Sequence, residues 1–297
     1  METIENDLLK AEVSSHGAEL QSIVDKRTGR SYLWYGDPAY WGRRSPVLFP
    51  FVGQVNHGIY RVNGVEYPMS QHGFARDRDF TLADRTADSV TYVLKSDAQT
   101  LAMYPFPFTL AASVRLSGRS VLVRWQVTND GQEDLPFSIG GHPAFLCPPS
   151  DEKESPYSCS IVFYDENGKK PEILTSRTVE AGTGTVNDRL RTYALQDGRL
   201  PITEHLFDED ALIFENRQAC EAALADSQGH EFIRVRFPEP LFGVWSPAGK
   251  NAPFVCIEPW YGRCDSIHFN GELKDREWGQ TCRPGETFDT EYEIITG

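Results

Sequence analysis

Several features that define common classes of protein are missing from this sequence of 297 residues. It has no apolar run of about eighteen residues, so we predict no membrane-spanning helix. The first segment, "METIENDLLKAEV", lacks the basic and apolar regions of a secretory signal peptide. The six cysteines form no C-x-x-C pair. Together these absences favour a cytoplasmic protein whose cysteines are reduced thiols.

Motifs that bind cofactors and metals are also absent. The chain contains no G-x-G-x-x-G, no P-loop, no G-x-S-x-G and no H-E-x-x-H. No two histidines lie at ligand spacing on one predicted element, so the sequence gives no sign of a metal site. We therefore expect a protein that works with no cofactor and no metal.

Positive charge is scarce. The 29 lysines and arginines stand against 43 aspartates and glutamates, and the formal net charge is −14. An acidic surface repels phosphate backbones, so we expect no nucleic acid partner. Hydrophobic residues make up 40% of the chain and aromatic residues 12%, which is enough for a sizeable core. By length alone the chain could form one large all-β domain or two ordinary domains.

Helix signals are few, and short strand-like runs with turn signals between them dominate the chain. In "YRVNGVEYPM" (60–69), an Asn-Gly pair between two alternating runs predicts a two-residue hairpin. The run 113–130 alternates with period two and has a largely polar opposite face. The run 101–110 contains Pro105 and Pro107, which argue against a regular helix there.

Two other runs differ from these because they are almost continuously apolar. The segments 242–247 and 253–259 are each closed by a proline, as in strands buried on both faces. The secondary structure of the short segment 208–216 is ambiguous, and the segment 147–158 is predicted to be a long surface loop. The chain has strands with one apolar face as well as strands that are apolar on both faces. This combination predicts a single, mostly antiparallel β domain of sandwich type over residues 1–297.

The sharpest candidates for chemistry are a carboxylate and a histidine in apolar surroundings. Glu258 follows four apolar residues in "FVCIEPWYG" (254–262), where burial would raise its pKa towards neutrality. His142 lies between two glycines and a proline in "SIGGHPAFLC" (138–147), where a strand is expected to give way to an opening. Facing each other, they would form an acid–base pair for proton transfer on a small polar molecule. Nearby aromatic residues could stack on a sugar ring: Phe145, Trp260 and Tyr261.

Three further polar residues stand in similar contexts. His72 precedes a glycine in "SQHGFARD" (70–77), and Arg76 follows in the same motif. Asp210 precedes an apolar run in "FDEDALIF" (207–214). Each is a candidate for binding a polar ligand.

Structural explanations remain open for all of these residues. Asp210 could cap a turn, and Arg76 could form a surface ion pair with Asp77 or Asp79. Glu258 could be a buried structural acid bonded to a neighbouring aromatic side chain. The two histidines could be partly buried side chains with no chemical role.

Six segments in order resemble the aldose 1-epimerases, also called galactose mutarotases. The resemblance runs along most of the chain, and the variant "HGFAR" is similar to a divergent bacterial branch of that family. The segments are "SPVLFPFVG" (45–53), "QHGFAR" (71–76), "GGHPAF" (140–145), "DALIF" (210–214), "FVCIEPWYG" (254–262) and "RPGETF" (283–288).

This resemblance implies an all-β, single-domain antiparallel β-supersandwich with a sugar cleft and no cofactor. By motif, Glu258 matches the base that takes the proton of the anomeric hydroxyl, and His142 matches the acid that protonates the ring oxygen. His72 matches a second histidine that binds sugar hydroxyls. Asp210 matches a carboxylate that holds hydroxyls far from the anomeric carbon.

One position departs from the family pattern. Many relatives carry an arginine just after the glycine of the "FPFVG" motif, where this chain has Gln54. An amide can bind a hydroxyl, but it cannot stabilise a developing anion as a guanidinium does. Arg76, or Arg43 and Arg44 upstream, could supply the missing charge.

The sequence therefore predicts a cofactor-independent isomerase, an aldose 1-epimerase acting on a small sugar or a sugar phosphate. A sugar-binding or sensor protein on the same fold is the first alternative, since a fold does not fix a function. A hexose-6-phosphate mutarotase is another. A glycosidase using Asp210 and Glu258 is less favoured because it leaves the histidines without roles. Neither the sugar nor the oligomeric state follows from the sequence.

Overall fold

Short strands make up most of the regular structure in the computed structural model, which describes residues 1–150 and 155–297. In chain order the strands are β1 Glu2–Glu5, β2 Leu9–Val13, β3 Leu20–Asp25, β4 Val47–Leu48, β5 Ile59–Val62, β6 Val65–Pro68, β7 Thr81–Arg85, β8 Ser89–Lys95, β9 Phe108–Ser117, β10 Ser120–Asn129, β11 Leu135–Phe137, β12 Ile139–Gly141, β13 Ala144–Leu146, β14 Ser160–Tyr164, β15 Ile173–Val179, β16 Val186–Ala194, β17 Arg199–Pro201, β18 Leu212–Phe214, β19 Glu221–Ala225, β20 Glu231–Arg236, β21 Leu241–Trp245, β22 Phe254–Tyr261, β23 Gln280–Cys282 and β24 Thr287–Thr296.

Helical structure is limited to short pieces. The α-helix α1 spans Ala98–Met103. The 3₁₀ turns are Asn56–Gly58, Ala75–Asp77, Pro156–Ser158 and Leu273–Asp275. Among the described residues, no helix has the length and apolar character needed to cross a membrane.

Two large antiparallel sheets form the body of the protein. The first has the order β17-β14-β19-β20-β24-β10-β9-β8-β7, and the second has the order β16-β15-β18-β21-β22-β12-β4, with β13 also paired to β22. The largest group of packed core side chains includes Trp125 of the first sheet and Ile257 of the second, so the sheets share a core. The prediction of an all-β, antiparallel sandwich fold is confirmed.

Local sequence explains several elements directly. In β10 the alternating residues are buried, as the period-two pattern predicts. Asn63 (φ 50°) and Gly64 (φ 77°) both adopt left-handed backbone between β5 and β6, as a two-residue hairpin turn of type I′ requires. The ambiguous segment 208–216 contains the strand β18.

The expectation of no regular helix in 101–110 is wrong for its first three residues. Helix α1 begins at Ala98 and ends at Met103, two residues before Pro105. It starts there because the Asp97 side chain accepts a hydrogen bond from the Thr100 amide, which caps the helix. The prolines end this helix without preventing it from forming. Residues 151–154 of the predicted loop 147–158 lie outside the described residues.

The sequence pattern predicts that Pro259 ends its strand, and this prediction is wrong. Strand β22 continues through it to Tyr261. The Ile257 amide points towards Pro143, so an amide at position 259 would point to the same side of the strand. In the register of β12 and β22, position 259 lies opposite Gly141, the last residue of β12, next to the interruption between β12 and β13. A proline therefore costs little here, because few ladder hydrogen bonds are available to lose.

Candidate active site

The centre of the site is a pair of side chains on neighbouring strands. β12 pairs with β22 through Gly140 and Trp260, and β13 pairs with it through Ala144 and Cys256. The register is the same on both sides of the interruption, which places residue 142 opposite residue 258. Opposite residues in an antiparallel pair point to the same face. His142 Nε2 accordingly lies 3.2 Å from Glu258 Oε2.

Glycines beside this pair make room for the indole of Trp260. A Cβ atom on Gly140 would lie 2.6 Å from its Cδ1 atom, and a Cβ atom on Gly243 would lie 2.4 Å from its six-membered ring. Gly243 is paired with Glu258 across β21 and β22, so β21 presents no side chain at the position opposite the carboxylate. Gly140, two residues before the histidine, therefore serves close packing at the site.

Burial disfavours the charged forms of both reacting groups. Glu258 is 1% exposed, and this burial, with a smaller effect of Asp210, raises its pKa well above the ordinary value. Burial, with smaller effects of Arg76 and Arg43, lowers the pKa of His142 to about 3. Both shifts favour the neutral forms, a protonated carboxyl beside a neutral imidazole.

His72 lies next to His142, with its ring centroid 5.6 Å away. Its Nδ1 accepts a hydrogen bond of 3.1 Å from the Gly53 amide, which leaves the ring proton of the neutral imidazole on Nε2. Burial lowers the pKa of His72 well below its ordinary value, so the ring stays neutral. His72 can therefore donate one hydrogen bond to a ligand oxygen.

Asp210 lies at the mouth of the cleft. It precedes β18, adopts left-handed backbone (φ 73°) and accepts a hydrogen bond from the Ala211 amide at 2.9 Å. Asp210 is an exposed residue overall. The protein atoms packed around its carboxyl group nevertheless raise the pKa of that group by desolvation. It is both a turn residue and a hydrogen-bond acceptor facing the cleft.

Arg76 also lines the cleft, from the turn that follows His72. Its guanidinium donates to the Gln71 carbonyl at 2.6 Å, while its buried Nε has no hydrogen-bond partner among the described residues. Asp77 lies 3.8 Å from that Nε but 2.8 Å from Arg43. Burial lowers the pKa of Arg76 to about 10, so it remains a cation at neutral pH.

Gln54 is not brought into the cleft. Its side-chain amide donates to the Val55 carbonyl at 3.2 Å, and it is absent from the residues that line the cleft in the described part of the chain. Arg44 lies on a different groove and donates to the Gln21 carbonyl. Arg76 is thus the arginine that reaches this cleft.

The cleft has a volume of about 280 Å³, which is a size for one small polar molecule. Its lining includes residues that the sequence analysis did not single out, although four of them (Gly53, Gln71, Ala211 and Ile213) lie inside the motifs quoted for the family resemblance. The residues not singled out are Trp41, Gly53, Gln71, Val179, Gly184, Ala211, Ile213, Trp245 and Cys264.

One group of side chains could in principle hold a metal ion. The ligand atoms of His142, Cys256 and Glu258 lie within 4.8 Å of one another. A histidine, a thiol and a carboxylate form a donor set that suits zinc. A metal there would occupy both members of the acid–base pair, so the two uses exclude each other.

Known proteins resemble this chain over nearly its whole length. The family described as "Aldose 1-epimerase" matches residues 2–294. The chromosomal LacX protein of Lactococcus lactis is 31% identical over 98% of this chain and 97% of its own length. A galactose mutarotase related enzyme from Lactobacillus acidophilus has a TM-score of 0.91 and 31% identity, covering 100% of this chain and 97% of its own. A galactose mutarotase-like protein from Lactobacillus casei has a TM-score of 0.91 and 32% identity over both full chains.

Proposed function

Since this chain belongs to the aldose 1-epimerase family, we propose that it is a mutarotase that interconverts the α and β anomers of an aldose. One observation carries the proposal. A histidine and a glutamate, both buried, lie 3.2 Å apart on a cleft of monosaccharide size. That arrangement suits acid–base chemistry on a sugar that needs no other reagent.

In the proposed reaction, Glu258 takes the proton of the anomeric hydroxyl while His142 gives a proton to the ring oxygen. The bond between the anomeric carbon and the ring oxygen breaks, and the open aldehyde forms. After rotation about the adjacent bond, the same two proton transfers in reverse close the ring on either face. No proton is gained or lost over the cycle.

The electrostatics of the pair fit this sequence of steps. Opening the ring converts a charged pair, imidazolium and carboxylate, into a neutral pair. Burial favours the neutral forms of both groups, so the surroundings stabilise the state reached when the ring is open. The proton of the neutral pair must pass to His142 before the ring opens, and the two atoms Nε2 and Oε2 lie 3.2 Å apart.

Around this pair we assign binding roles to the neutral His72, which donates to a sugar hydroxyl, and to Asp210, which accepts from hydroxyls at the mouth. Trp260 lines the cleft and presents an apolar surface to the sugar ring. We further propose a cytoplasmic location, in line with the buried, reduced thiols of Cys220, Cys256 and Cys264.

A polarimetric assay tests the function. The protein should accelerate the decay of optical rotation of fresh α-aldose, and Glu258→Gln should reduce kcat about 10²–10⁴-fold while sugar still binds, because the amide keeps the shape but loses the basic site. Glu239→Gln is the matched control, since that glutamate is buried outside the cleft. A wild-type protein that binds sugars without speeding the decay would instead be a sugar-binding protein.

A second candidate is a hexose-6-phosphate mutarotase, which the unpartnered Nε of Arg76 in the cleft favours. We give priority to the unphosphorylated aldose. Asp77 offsets part of the charge of both Arg76 and Arg43, and the net charge of −14 disfavours anionic ligands at long range.

A further inference from the structure

The orientation of His142 needs an explanation, because hydrogen bonds do not supply it. One ring nitrogen, Nε2, lies 3.2 Å from Glu258 Oε2, but the two atoms do not meet hydrogen-bond geometry. The other, Nδ1, is buried and has no hydrogen-bond partner of normal geometry among the described residues, although the ring has a polar contact with the backbone of its own residue. Functional histidines are usually held by a second hydrogen bond at the far nitrogen. Some other contact must hold this ring beside Glu258.

Two tryptophans surround the ring instead. The Trp41 indole stacks on the imidazole of His142, with the centroids 4.7 Å apart and the planes 27° from parallel. Trp245 meets the same imidazole edge-on at 5.6 Å and 83°. The two indoles also contact each other at 5.7 Å. A ring packed on its face and its edge cannot rotate about its own axis without displacing an indole.

Trp41 is itself fixed to the strands of the site. Its carbonyl accepts a hydrogen bond of 2.8 Å from the Trp34 indole, and its amide donates to the Asp37 carbonyl at 2.9 Å. Its indole also lies nearly parallel to Phe254 of β22, at 6.0 Å and 29°. Its position is therefore tied to the strand that carries Glu258.

We propose that Trp41 is a positioning residue that orients the imidazole of His142 by stacking, in place of a hydrogen bond at Nδ1. The effect of this positioning on catalysis depends on the proposed mutarotase function. The indole face also attracts an imidazolium, which favours the charged ring needed at the start of the reaction. Trp41 is far from the pair in sequence, and no local motif marks it.

The test compares Trp41→Leu with Trp41→Phe, which keeps a stacking face. Tyr35→Leu is the matched control, because that exposed aromatic residue lies on the same segment but contacts Trp34 and not the histidine. We expect Trp41→Leu to lower kcat about 10–100-fold with KM within about threefold, since a misplaced acid acts only on the transition state. Trp41→Phe should restore most of the loss, and Tyr35→Leu should match the wild type.

Nitrogen-15 spectra of histidine-labelled protein without substrate provide a readout that does not depend on activity. The His142 signals, assigned by their loss in His142→Asn, should form one sharp set in the wild type and Trp41→Phe, and broadened or doubled signals in Trp41→Leu. Unchanged His142 signals in Trp41→Leu overturn the proposal. So does a raised KM at unchanged kcat, which would make Trp41 a sugar platform. A wild type without mutarotase activity refutes the proposed function, while the spectra still decide how the ring is held.

Discussion

Arg76 shows how a residue's surroundings set its chemistry. Its side chain is 15% exposed, and its nearest acidic neighbour, Asp77, is shared with Arg43. Asp79, the other acidic candidate partner, is paired with His16 at 2.9 Å. The guanidinium thus lies in the cleft as a cation with its charge partly offset.

We expect the ratio of kcat/KM for glucose 6-phosphate over glucose to stay below about ten, and to change little in Arg76→Ala. A bidentate grip on a phosphate would produce a much larger preference, because charge-assisted hydrogen bonds are about twice as strong as neutral ones. Arg78→Ala is the control, since Arg78 lies two residues away and is bonded to Gln99. A hundredfold preference for the phosphate that disappears in Arg76→Ala alone would reverse our choice of substrate.

At the scale of the element, the connection between β20 and β21 carries an unusual buried acid. Glu239 is 0% exposed, and neither carboxyl oxygen has a normal hydrogen bond among the described residues. Burial raises its pKa to about 8, which polar contacts with its own backbone and with Thr290, and the charge of Arg217, only partly offset. The folded protein therefore holds a proton there that the unfolded chain releases at lower pH.

The free energy of unfolding should consequently fall as the pH rises from about 4.5 to about 8. Glu239→Gln should remove the part of that fall due to Glu239 and be more stable than the wild type at pH 8, by on the order of 4 kcal/mol. Urea denaturation at several pH values measures the difference, with exposed Glu291→Gln as the control. Parallel stability curves for the wild type and Glu239→Gln would mean that Glu239 is ionised or well solvated in the folded protein.

At the scale of the molecule, the two large sheets depend on a common core. Trp125 of β10 packs against Tyr292 of β24, and the same core cluster contains Ile257 of β22, the strand of Glu258. Neither sheet can lose its partner without exposing this apolar surface to water. We therefore propose that residues 1–297 fold as one domain.

A single domain of this kind should unfold in one cooperative transition. Circular dichroism and tryptophan fluorescence should give the same denaturation midpoint, and Trp125→Phe should lower both by the same amount, because the lost packing belongs to both sheets. Two separate transitions, or a shift seen by one probe alone, would divide the chain into independent units.

Local sequence by itself determined the strand character of this chain and the setting of its two central residues. Alternation in β10 and the Asn-Gly turn between β5 and β6 act within a few residues, so they can be read without a structure. Glu258 and His142 stood out because each lies at an apolar run next to proline or glycine. The family resemblance rested on such short motifs.

Tertiary structure decided what surrounds those residues. Trp41 contacts His142 across about a hundred positions of the chain, and the Gln54 side chain turns to its own neighbour instead of the cleft. Pro259 was misread as the end of a strand, because its cost depends on the interrupted neighbour and not on its own sequence. Strand pairing and side-chain packing join distant segments, and their energies depend on the partners that the fold brings together.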